Sequence, residues 1–420
     1  MTREMNVVEK ILARASDRDE VEPGEIVVAD VDRAIFHDLS GYITGNVYEE
    51  AFEEPIQYPD RVTMVFDHTF SPPNEEQANI LESNREFADR HDIGLFDCGN
   101  GNIHHVILQN NLVEPGSVVV GSDSHTPVHG VLGSFATGVG NNAHAGMVFP
   151  DGQCWFKVPR TVKIEITGSP PPGTTARDIA LYLVGEIGEG GANYDALEFS
   201  GEYVDGLEFW DRWLLPLITI DVGAKCGYIE PDDETETFLE DRGVSTDRMV
   251  KNDPGAEYAE VWEFDVSDVP PQVACPPTVG NVVPIDEVAG TSVQWAELGG
   301  HGGGRLEDFE LADGVLEERA EDVRFNLVPS SRETFSQALD AGLVDELHEA
   351  GGTWFPPSTG SNQAINMGAM TQNEAMISTH ARNFPGRNGH PEAKMYLASA
   401  LTVGASAANG EITDPREYVQ

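Results

Sequence analysis

The chain has 420 residues, enough for two or three lobes with substantial cores, and 40 % hydrophobic content excludes a disordered or fibrous protein. Its 72 acidic against 25 basic residues give a formal net charge of −47, with no basic patch, which excludes nucleic-acid binding. The acids are dispersed and lysine is scarce, as expected of a halophilic protein in very salty cytoplasm, where a Debye length of ~3 Å or less makes self-repulsion tolerable.

Residues 4–16 place Val7, Val8, Ile11 and Leu12 at helical spacing, and a turn at Glu22-Pro23-Gly24-Glu25 leads into a strand, Ile26 to Ala29. His37-Asp38 follows. A second strand, Val62 to Phe66, ends in Asp67-His68, a carboxylate able to orient an imidazole and raise its basicity. Residues 75–92 read as a helix, and Ile93 to Asp97 as a strand leading into CGNGNIHHV with His104. After the turn Glu114-Pro115-Gly116, the apolar run Ser117 to Val120 is a buried strand ending in GSDSHTPVHGVLGSFATGVG. A carboxylate, a hydroxyl and an imidazole at Asp123, Ser124 and His125 can form a hydrogen-bonded acid/base group. Asp67-His68, His104 and Asp123-Ser124-His125 thus each follow a strand, and strand ends meeting at one crevice are where α/β proteins place their chemistry.

Residues 161–167 alternate like a half-buried strand, and Thr175 with Asp178 marks a helix start. Residues 211–225 are apolar and mostly helical apart from Pro216, 228–263 are acid-rich and loop-prone, and the prolines of 270–277 suggest a connection between lobes near 270–290. A strand at 323–328 and helices at 333–341 and up to 349 complete a strand–helix alternation that predicts α/β architecture throughout. The end of the chain, ISTHARNFPGRNGHPEAKMYLASALTVGASAANGEITDP, contains Arg382 and Arg387, whose planar forks suit carboxylates.

No apolar run reaches ~18 residues and the start, MTREMNVVEK, lacks a secretory core, so no membrane partner and a cytoplasmic location are expected. Cys98, Cys154, Cys226 and Cys275 form no CxxC and read as reduced thiols.

The stretch Gly121 to Gly140, with EKILARAS…VEPGEIV, ARDIALYLVGEIGEGGANYDALEF and the C-terminal segment, resembles the aconitase superfamily, most closely the large subunits of 3-isopropylmalate dehydratase and homoaconitase. The resemblance covers nearly the whole chain. It implies three-layer α/β/α lobes around a central cleft without the swivelling small-subunit domain. Residues 1–280 would form the first two lobes, with the acid/base set Asp67, His68, His104, Asp123, Ser124 and His125, and 281–420 the third. It also implies Arg382, Arg387 and Asp221 at the substrate, a hydroxy di- or tricarboxylic acid of the isopropylmalate or homocitrate kind. A separate small subunit would bring the remaining catalytic groups. The activity implied is that of a hydro-lyase in amino-acid biosynthesis; the alternative is a non-catalytic paralogue that binds a carboxylic acid or a partner subunit.

The family holds a [4Fe–4S] cluster on three cysteines, and here those positions read His301, Thr359 and Asn362. Cluster binding requires thiolates, so no cluster of the usual kind is expected, unless a relocated set uses Cys98, Cys226 or Cys275. Leu217 and Asp221 also stand where the family has an asparagine and a glutamate. Three roles stay open for His301: a protonated general acid, a ligand of a mononuclear divalent metal together with Asp221 or nearby histidines, or a filler of its glycine-rich loop.

Overall fold

The computed structural model describes residues 3–316 and 318–419. Three parallel sheets follow one another along the chain. The first has the order Gly94–Phe96, Val62–Val65, Arg33–His37, Val118–Gly121, Phe135–Gly138. The second runs Cys226–Ile229, Ala196–Ser200, Thr161–Thr167, Glu260–Asp265. In the third, Lys394–Leu397, Ala375–Ser378, Trp295–Leu298, Arg324–Leu327 and Thr353–Trp354 are parallel neighbours, with Gln272–Ala274 and Val282–Pro284 added antiparallel at one edge. Helices pack on these sheets in three-layer α/β/α lobes, the architecture expected from the sequence. An antiparallel ribbon, Ile26–Asp30 with Gln153–Lys157, closes the first lobe.

Parallel strands covered on both faces read as unbroken apolar runs, and Val118, Val119 and Val120 are each fully buried. Thr161–Thr167 instead buries Val162, Ile164 and Ile166 while Lys163 and Glu165 stay half-exposed, which is why it alternates.

Three elements differ from the sequence expectation. Residues 209–220 break into two short helices, Phe209–Arg212 and Leu214–Leu217, and a 3-10 turn, Ile218–Ile220. The third sheet takes its first strand from Gln272–Ala274, before residue 281, because Val273 and Ala274 are buried under it once the prolines at 270 and 271 have turned the chain. A helix over Asp38–Ala51 was hidden by its glycines. Gly41 and Gly45 look like loop residues, but a Cβ would come within 2.8 Å of Met64 Cε and 3.0 Å of a Phe87 ring carbon, so they permit close packing instead.

The first and third lobes are stitched together at their strand ends. Gly101 bridges Ser331, the Asn102 amide donates to Ser330 O at 2.7 Å, and Asn102 Nδ2 donates to Gly300 O at 3.1 Å. This seam fixes the loop before His104 against the loop carrying His301.

Candidate active site

Each polar residue of the first-lobe site follows a strand of the first sheet. Asp67 and His68 come after Val62–Val65, and Asp67 Oδ1 accepts from His68 Nδ1 at 2.7 Å. The other Asp67 oxygen accepts from the Ile103 amide at 2.9 Å, where a helix, Ile103–Gln109, begins. Burial disfavours the charged form of His68, but the Asp67 charge and hydrogen bond outweigh it and raise the group to about 9. His104, on the first turn of that helix, donates from Nε2 to Asp123 Oδ1 at 3.1 Å. The same oxygen accepts from the His125 amide at 2.7 Å and lies 3.4 Å from His125 Nδ1. Burial lifts Asp123, yet the imidazoles of His301, His104 and His125 outweigh burial and hold the carboxyl well below its ordinary range. Burial pushes His125 down to about 4 against the pull of Asp123, with the Arg382 charge adding to burial. Ser124 is exposed, with Oγ 3.4 Å from His125 Nδ1.

The third lobe supplies the facing wall. His301 follows the strand Trp295–Leu298 and is buried among the first-lobe imidazoles. Its ring centroid lies 5.3 Å from that of His68, 5.7 Å from His104 and 5.4 Å from His125. Its Nε2 is 3.5 Å from Asp123 Oδ2 and 4.0 Å from Asp67 Oδ2, and has no hydrogen-bond partner among the described residues. The loop at 300–304 needs its glycines: a Cβ on Gly303 would meet Thr379 Oγ1 at 2.1 Å, and Gly304, at φ +79°, would meet Val328 O at 2.2 Å. Thr359 donates from both its amide and Oγ1 to Asp67 O at 3.0 Å. Asn362 is fully buried, and neither amide atom has a partner among the described residues.

Arg382 and Arg387 follow the strand Ala375–Ser378. Arg387 is close enough to feel the Asp123 charge, but burial dominates and lowers its guanidinium to about 10; its Nε has no partner among the described residues. Arg382 Nη1 pairs with Asp221 Oδ1 at 2.9 Å. Burial raises Asp221 to about 6, with Arg382 and Arg177 opposing. Asp221 therefore lies on the arginine side of the cleft, and among the described residues it is in no metal-ligand group with His301, which corrects that part of the sequence expectation. Two openings meet here. One of about 370 Å³ is lined by Asp123, Ser124, Tyr194, Ile220 and Lys225. The other, of about 290 Å³, is lined by Ile220, Asp221, Arg382 and Phe384.

The cysteines sit on different elements, although Cys154 and Cys226 are buried in one core. Cys98 follows the edge strand of the first sheet and donates to Thr69 O at 3.0 Å; Cys154 lies in the ribbon, Cys226 in the second sheet and Cys275 after a strand of the third. Among the described residues, no group of His, Cys, Asp and Glu with metal-ligand spacing contains a cysteine.

Several residues support the site; His37-Asp38 was noted in the sequence, while Glu297 and Arg177 were not. Asp38 accepts from the His68 amide at 3.1 Å, and the His37 ring lies 4.3 Å from that of His68. Glu297 is fully buried and accepts from His380 Nε2 at 2.7 Å, the Ser361 amide at 2.9 Å and Asn326 Nδ2 at 3.1 Å, fixing the loop of Thr359 and Asn362. Arg177 donates to His380 O at 2.7 Å. The one signal for Glu297 was a glutamate inside an apolar strand, Trp295-Ala296-Glu297-Leu298.

Comparison with known proteins agrees with this architecture. A model of the aconitase family (aconitate hydratase) matches residues 9–410. The chain is 43 % identical to the 3-isopropylmalate dehydratase large subunit 1 of Methanopyrus kandleri, over 98 % of this chain and 99 % of that one. It is 38 % identical to the probable methanogen homoaconitase large subunit of Methanothermobacter thermautotrophicus, over 98 % of each chain. The crystal structure of Thermococcus kodakaraensis aconitase X in its holo form shares the fold, with a TM-score of 0.50 over 89 % of each chain at 12 % identity.

Proposed function

Since this chain belongs to the aconitase family, we propose that it is the large subunit of a hydro-lyase acting on a hydroxy di- or tricarboxylic acid, and that it works without the family's [4Fe–4S] cluster. The observation that carries the reading is the meeting of His68, His104, His125 and His301 around Asp67 and Asp123, with Arg382 and Arg387 on the rim. Dehydration takes a proton from the carbon beside a carboxylate. The freed electron pair forms the C=C bond, and the hydroxyl leaves the next carbon as hydroxide, to be protonated to water. A buried set of imidazoles held by shared carboxylates is built to take and give those protons. Arg387, whose Nε has no partner among the described residues, and Arg382 hold substrate carboxylates.

The donor set does not fit a cubane cluster. An imidazole, a hydroxyl already donating to Asp67 O and an amide stand at 301, 359 and 362, and among the described residues no group with metal-ligand spacing contains a cysteine. The relatives' description as large subunits supports a separate small subunit that completes the site. A second reading, binding without turnover, is favoured by the Arg382–Asp221 pair, which places a carboxylate of the chain itself on a substrate arginine.

The test is a dehydration assay of the chain co-purified with its small subunit on a panel of malate- and citrate-like acids. The hydro-lyase reading expects turnover of at least one acid, lost in His104→Ala. Ligand-induced thermal stabilisation with no turnover on any acid would replace it with the binding reading.

A further inference from the structure

We propose that His68, Asp123 and His301 form a mononuclear binding site for a borderline divalent cation of the zinc or ferrous kind. One ligand atom from each residue lies within 4.8 Å of the others, and all three residues are buried. His301 Nε2 is the decisive atom. It is buried, lacks a hydrogen-bond partner among the described residues and points at Asp123 Oδ2 from 3.5 Å, too far for a good hydrogen bond. Two ligands ~2.1 Å from a common ion at the tetrahedral angle lie ~3.4 Å apart, so that spacing is the edge of a coordination polyhedron. A buried imidazole nitrogen without a partner is costly unless something occupies the gap.

The surrounding groups fit the same role. Asp67 holds His68 Nδ1 at 2.7 Å, which leaves Nε2 as the nitrogen free for an ion and makes a carboxylate–histidine support of the kind metal sites use. His104 and the His125 amide hold the other Asp123 oxygen, so Oδ2 is the one turned toward His301. Two imidazoles and one carboxylate leave coordination positions open, an arrangement suited to zinc, iron or cobalt and not to calcium or magnesium. The neighbouring group His37, Asp38, Asp67 and His68 is weaker, because His68 Nδ1 already sits between the two carboxylates and His37 Nδ1 accepts from the Ser40 amide. The site thus joins His301 of the third lobe to His68 and Asp123 of the first. The ion would serve as Lewis acid for the departing hydroxyl. That role rests on the hydro-lyase reading; the binding does not.

The experiment is titration of the chelator-stripped full chain with Co²⁺ in concentrated KCl, where the acidic surface is screened, read by its visible spectrum and by metal analysis. One Co²⁺ per chain is expected, with the intense bands of a low-coordinate nitrogen–oxygen site, and at least ~100-fold weaker binding in His301→Ala and Asp123→Asn. A wild-type spectrum no different from that of hydrated Co²⁺, a reading that needs no variant to fold, would overturn the site. So would wild-type affinity no greater than that of His301→Ala. Turnover by the fully stripped complex would remove the ion from catalysis while leaving the hydro-lyase reading intact. A tightly held ion with no turnover on any acid would leave the site standing and sink the hydro-lyase reading.

Discussion

Arg387 is the side chain whose loss should read most cleanly in kinetics, because its Nε has no partner within the described residues. Arg387→Lys keeps the charge but loses the planar fork, and KM for the carboxylate substrate is expected to rise ~10–100-fold with a smaller change in kcat. Asp221 gives the pH dependence. Its carboxyl is raised from 3.8 to about 6 by burial, with Arg382 and Arg177 opposing and Glu189 adding. A folded-state value above the unfolded one means that the contribution is fully present below pH ~4 and is lost as pH rises through about 6. Asp221→Asn should therefore gain on the wild type by up to about 3 kcal/mol between these limits, measured by denaturant unfolding at a series of pH values. A constant difference across that window would show that Asp221 titrates normally. His68 and Asp123 were picked out in the sequence because each follows an apolar strand, and His104 because it lies in the loop-to-helix segment after another. Glu297 and Arg177 were not, because a buried polar residue that braces a loop carries no periodic mark of its own.

At the scale of elements, the seam at residues 100–102 decides whether the two halves of the site meet. Gly101 has φ +131°, and a Cβ there would come within 2.3 Å of Ser330 O. Gly101→Ala must push the first-lobe loop off the third lobe. It is expected to cost about 2 kcal/mol in unfolding free energy and to lower kcat/KM, since His104 and His301 are placed by the two sides of this contact. Glu297→Gln tests the brace beneath Thr359 and Asn362, with an expected loss of ~1–3 kcal/mol in the same unfolding assay. The sequence revealed strands where burial makes them continuously apolar, as in Val118 to Val120. It concealed the helix Asp38–Ala51, whose glycines serve packing, and the early start of the third sheet, since three-residue strands are too short to show a period.

For the whole molecule, the net charge of −47 governs behaviour more than any one contact. The melting temperature should climb as KCl is raised from ~0.1 M to ~1 M, where the screening length falls from about 10 to about 3 Å. A melting temperature independent of salt would remove the halophilic reading. The α/β architecture was legible because strand–helix alternation persists along the chain; the seam between the first and third lobes was not, because it depends on contacts between residues some 200 positions apart, such as Asn102 with Gly300. The central claim is the proposal that His68, Asp123 and His301 hold a mononuclear divalent ion in a chain that works without a [4Fe–4S] cluster. Iron, zinc and acid-labile sulfide measured together on the anaerobically purified complex test it most directly. The account predicts one divalent ion per chain and no sulfide; about four irons and four sulfides per chain would contradict it.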